Sequence, residues 1–172
     1  MRHSSALPVA WITLRILILL NWLGGAAILA LLVATIVAEQ WTFTALGITP
    51  STGIPSQIMG LRAIAALGLV AIPLNYAVLK RLLVIVETVR KGDPFVAANA
   101  IRLQAIAWAL LALQLLSMVI GGIGKAISTP EHPLHLDAGF SINGWLAVLL
   151  TFVLARVFAE GTLMREDLEG TV

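Results

Sequence analysis

KRLLVIVETVRKGDPFVAANAIR, residues 80–102, is the one long charged interruption between apolar blocks in this chain. It holds five of the eleven basic residues: Lys80, Arg81, Arg90, Lys91 and Arg102. No helix breaker falls between Lys80 and Arg90, and Leu82, Leu83, Val86 and Val89 recur at helical spacing. Lys91-Gly92-Asp93-Pro94 then ends the pattern. Gly92 fits the left-handed stop after a helix. Asp93 is the expected N-cap of the next helix, and Pro94 its expected first residue. The stretch therefore reads as a helical hairpin that leaves an apolar layer by about 15 Å and returns.

The surrounding composition identifies that layer. Of 172 residues, 59% are hydrophobic and 12% charged, whereas a soluble domain carries about 25% charged residues. Mean hydropathy is +0.97. Lipid is the solvent for most of such a chain. Four apolar spans are expected, at about 16–38, 63–79, 103–123 and 138–155. They predict an all-α fold, a four-helix transmembrane bundle of two helical hairpins, with residues 1–172 forming one integral-membrane domain. Residues 1–15 read as a short polar arm with an irregular or interfacial start around Pro8 and Trp11. Turn formers at Gly47, Pro50, Gly53, Pro55 and Gly60 predict an outward loop over 39–61 without a long helix. Pro73 predicts a kink in the second span. Ala26, Ala30, Ala34 and Ala38 form a stripe that permits close helix approach.

Charge placement orients the spans. Arg2, Arg15, Lys80, Arg81, Arg90, Lys91, Arg102, Arg156 and Arg165 all fall on the termini and the central hairpin; only Arg62 and Lys125 fall on the other side. The positive-inside rule predicts cytoplasmic N- and C-termini and a cytoplasmic hairpin. The second and fourth helices are expected to extend past the membrane, the fourth through Val157–Asp167 with Arg156, Glu160 and Met164 on one exposed edge.

GDPFVAANAIRLQAIAWALLALQLL (92–116) and the closing GWLAVLLTFVLARVFAEGTLMREDLEGTV (144–172) resemble a bacterial family of small four-helix membrane proteins of unknown function. Its Gly-x-Pro-Phe turn, following Asn and Arg-Leu correspond to Gly92, Pro94, Phe95, Asn99, Arg102 and Leu103. Its closing pattern corresponds to Phe158, Glu160, Gly161, Glu166, Glu169, Thr171 and Val172. Members are often encoded beside a very small helix-turn-helix regulator of the Cro/CI type. The resemblance implies a bacterial inner membrane and a cytoplasmic regulatory partner, and brings no enzyme activity or cofactor.

The residues themselves offer little chemistry. Glu131-His132-Pro133-Leu134-His135-Leu136-Asp137 gathers two imidazoles and two carboxylates. His132 and His135 are weak metal candidates, because the proline between them suits no regular ligand geometry, and a solvated loop is the expectation. Cysteine is absent, which excludes disulfides and thiolate chemistry. No carboxylate lies deep in a span, which argues against a proton relay. Asn21, Asn75 and Gln114 are the intramembrane polar residues, with Gln114 expected to bond another helix. No basic face clear of the bilayer suggests nucleic acid. Arg81, Arg90, Lys91, Pro94, Phe95 and Arg102 are the expected lipid-contacting and docking residues, facing the acidic tail Glu166-Asp167-Leu168-Glu169. The expected function is a non-enzymatic regulatory or sensory partner of a small transcription regulator, without a cofactor. The alternative is a small transporter or channel for a neutral or apolar solute. Lipid is the expected surrounding, and self-association into a homo-oligomer stays open.

Overall fold

A computed structural model describes residues 6–38, 41, 55–128 and 138–169. Four helices make up almost all of it: α1 (Ala6–Val37), α2 (Pro55–Arg90), α3 (Ala97–Ile127) and α4 (Ile142–Glu169). All four are long and apolar enough to cross a membrane. The fold is the expected all-α four-helix bundle, and the protein is a multi-pass membrane protein. Packing follows chain order: α1 lies on α2, α2 on α3, and α3 on α4, with no other helix pair in contact among the described residues.

Burial concentrates on α3, which packs on α2 and on α4. Leu103, Ile106 and Ala109 of α3 meet Val78 of α2 and Ala155 of α4 in the core. Large side chains such as Leu19, Leu23, Val70, Leu149 and Leu150 are exposed. Exposure of that kind suits a lipid solvent, which imposes no cost on apolar surface. Trp108 stands edge-on to Phe152 at 5.3 Å across α3 and α4, and Trp22 meets Tyr76 at 5.6 Å across α1 and α2.

Contacts between antiparallel helices fix relative heights. On α2 and α3, Gly60 packs against Ile127 and Thr88 bonds Asn99, so Arg62 stands level with Lys125. Arg15, Lys80, Arg81, Arg102 and Arg156 share a second level, within about two helical turns. Arg62 to Arg81 along α2 is about 29 Å, the thickness of a bilayer hydrocarbon core. The helices continue past the basic level, which is called the basic end below; the Arg62 and Lys125 level is the far end.

Several boundaries differ from the sequence expectation. Residues 6–15 are not an irregular arm: α1 is helical from Ala6, because Pro8 lies in the first turn, where backbone N–H groups have no acceptor to lose. Residues 55–61 belong to α2, which Pro55 opens by the same logic, and Gly60 lies inside the helix where Ile127 packs on it. Pro73 lies inside α2, with helix on both sides of it. Asp93 and Pro94 do not start α3. Its N-cap is Val96, extended at φ −110°, and Asp93–Val96 form a short connection. The fourth helix begins at Ile142, leaving 138–141 non-helical.

Candidate functional site at the basic end

The α2–α3 turn is closed by backbone geometry. Gly92 has φ +86°, a conformation that costs glycine nothing and other residues a Cβ clash. Its N–H donates to Val89 O at 3.1 Å, and the Asp93 N–H donates to Thr88 O at 3.1 Å. This pair of bonds is the Schellman stop expected from the sequence.

Asn99, which has no exposed surface, holds the turn from inside. Its Nδ2 donates to Thr88 Oγ1 at 2.7 Å and to Pro94 O at 2.9 Å. Its Oδ1 accepts from Arg102 Nη1 at 2.8 Å. Thr88 in turn donates to Ile85 O. One amide thus joins the last turn of α2, the connection and the first turns of α3, with both donors and the acceptor used. Burial of an amide is costly unless its bonds are made, so this network specifies the hairpin.

The turn is also joined to α4. Asp93 accepts from the Arg165 guanidinium, forming an ion pair across 72 positions of sequence. Phe95 lies against Phe158, centroids 5.3 Å apart. Gly161 permits this approach: a methyl there would sit 3.1 Å from the Phe95 ring. α2, the turn and the extension of α4 therefore form one head beyond the basic level. The exposed edge of α4 is as expected, with Arg156 paired to Glu160 at 2.5 Å and Met164 exposed.

α1 adds an aromatic–cation cluster. The Arg15 guanidinium lies 3.8 Å from the Trp11 ring centroid, and that of Arg90 lies 5.6 Å from the same ring. Neither arginine has a carboxylate partner among the described residues. A ring beneath two cations stabilises both by its quadrupole, by about 1 kcal/mol each at partly exposed sites. Lys91 pairs weakly with Glu87 at 3.8 Å, and Arg81 donates to Ala77 O of its own helix at 3.0 Å.

No hydrogen bond joins the intramembrane amides to one another. Asn21 donates to Ile72 O at 3.1 Å, joining α1 to α2. Gln114 faces α4 instead, donating to Gly139 O at 3.5 Å. Asn75 makes no hydrogen bond to the described residues. His132 and His135 lie outside the described residues, and no group of three or more metal-ligating residues occurs among the rest. An apolar cleft of about 290 Å³ runs between α1 and α2 at the far end, where Arg62 donates to Thr35 O.

Asn99 and Trp11 are the two residues whose part was not evident from the residues alone. Asn99 stood in the family pattern without a role. Trp11 read as an interfacial start, though its ring receives two arginines.

Residues 56–172 match the family described as "Protein of unknown function (DUF2975)". The chain belongs to the DUF2975 family. The matched residues take in α2, α3 and α4, and therefore the whole of the Asn99 network and the Asp93–Arg165 pair; α1 and Trp11 lie before them. No curated protein and no solved structure matches the chain. In DUF2975 terms, the turn bearing Gly92, Phe95 and Asn99 is family territory, while the cation cluster on Trp11 uses one residue from within the match and two from outside it.

Proposed function

We propose that this DUF2975 protein is a non-enzymatic regulatory membrane protein of the bacterial inner membrane, with both termini and the head in the cytoplasm. Its head would dock a small cytoplasmic helix-turn-helix regulator. The observation that carries the proposal is the joining of the α2–α3 turn to the α4 extension by Asp93–Arg165 and Phe95–Phe158. A rigid surface beyond the membrane has no evident role in spanning it. Phe95 is 43% exposed, and Arg90 and Lys91, both exposed, precede it in the same turn; an accessible aromatic near charged residues is of the kind that binds proteins. The basic level would rest on anionic headgroups, each cation contributing about 1 kcal/mol.

Co-purification from native membranes at moderate salt tests the proposal, with mass spectrometry of what comes down. Capture of a small helix-turn-helix protein, lost on Arg90→Glu with Lys91→Glu, is the expected result. Unchanged capture in the charge-reversal variant would sink it. The transport alternative finds less support, because Asn21 and Gln114 spend their amides on protein backbone and no hydrogen bond joins Asn75 to either.

A further inference from the structure

The start of α4 lies too deep for an ordinary crossing helix. Gln114 packs against Gly144, where a methyl would stand 2.9 Å from the Gln114 amide carbon. Gly121 packs against the backbone of Ala138, and a methyl there would stand 2.7 Å from the Ala138 carbonyl carbon. The Gly139 N–H donates to Ser117 Oγ at 3.2 Å. These contacts set 138–144 beside residues 114–121 of α3. From Lys125, at the far-end level, down α3 is about 6 Å to Gly121 and about 16 Å to Gln114. Residues 138–141 therefore cross membrane depth as non-helical backbone, and α4 begins only below them.

Irregular backbone at that depth must be buried in protein or reached by water. One edge of this segment is served by protein. Ser117 and Gln114 bond Gly139, and Ser141 Oγ accepts the Gly144 N–H at 3.2 Å. The other edge is not. The N–H groups of Phe140, Ser141, Ile142 and Asn143 meet no acceptor among the described residues. Ser141 and Asn143 are exposed, and the Asn143 amide bonds nothing described.

We propose that the α3–α4 junction is an aqueous recess, open at the far end and reaching about 10 Å or more into the bilayer, in which water solvates the 140–143 edge. Gln114 and Ser117 form its protein wall. The recess lies at the opposite end from the head and stands independently of any partner bound there.

The chain has no native cysteine, so single cysteines report without background. Ser141→Cys and Asn143→Cys would be placed in proteoliposomes, beside Val119→Cys and Leu146→Cys, exposed apolar positions on the same stretch of α3 and α4. A membrane-impermeant charged maleimide is the probe. The thiolate is the reacting form and needs water, so Ser141→Cys and Asn143→Cys are expected to react more than about tenfold faster than the two apolar controls. Equal, slow labelling at all four sites would overturn the recess. So would oxidative crosslinking of Asn143→Cys between copies in place of labelling, which would assign the edge to a second chain. Hydrogen exchange of the Ile142 and Asn143 amides in the unsubstituted protein gives a second test: rapid exchange supports water access, and protection removes it.

Discussion

α3 holds non-helical backbone at two places, one at each end, by the same means. At the basic end, Asn99 holds the Asp93–Val96 connection. At the far end, Gln114 and Ser117 hold 138–141. The difference is the solvent. The first site adjoins water, and its amide still uses every donor and acceptor. The second lies at lipid depth, yet among the described residues only one of its edges is bonded by protein. A closed network specifies a rigid turn; a half-closed one in hydrocarbon calls for water on the open side. The comparison separates an anchor whose role is structural from one that admits solvent.

Four substitutions break or sharpen this contrast. The largest effect is expected from Gly144→Leu, which has no room beside Gln114; a loss of about 3 kcal/mol in detergent unfolding is predicted. Shortening the opposed side chain in the same protein, Gln114→Ala added to Gly144→Leu, should recover most of it, whereas no recovery would mean the two do not share one space. Asn99→Ala is next. It strips partners from Pro94 O, Thr88 and Arg102, and about 2 kcal/mol is expected by the same measurement. Ser117→Ala removes one acceptor from the Gly139 N–H and should cost only about 1 kcal/mol, less if water replaces the hydroxyl. A cost as large as that of Asn99→Ala would indicate that no water reaches the far site. The smallest change is Asp93→Asn. Its ion pair with Arg165 is 46% exposed on both sides, so about 0.5 kcal/mol is expected, fading at high salt. A salt-independent loss would show the pair to be shielded from solvent.

These two ends were not equally legible in the sequence. Gly92 was readable because only glycine is at ease in the turn that a Schellman stop needs. The four spans were readable because lipid demands long apolar runs, and the charges at Arg15, Lys80, Arg81, Arg102 and Arg156 marked one edge of them. Asp93 misled: its local context fits an N-cap, but its partner Arg165 arrives from the last helix, and no local rule contains that residue. Gln114 was expected to bond a neighbouring helix, and what it meets is the backbone of a segment that is not helical. The start of α4 was hidden because Ala138-Gly139-Phe140-Ser141 carries no charge and runs straight into the apolar helix, so hydropathy carries no mark of the break. The beginnings of α1 and α2 were hidden for a related reason: proline is harmless in a first turn, and its presence alone does not tell a loop from a helix start.

Packing in strict chain order also has a consequence in time. Each helix needs only the one made just before it, so α2 finds α1 waiting, α3 finds α2, and α4 finds α3. Assembly can keep pace with synthesis, with no early helix held vacant for a late partner and few long loops to close. The exception is Arg165 of α4, which reaches back past α3 to Asp93: the hairpin acquires that contact only once the last of the four helices is made.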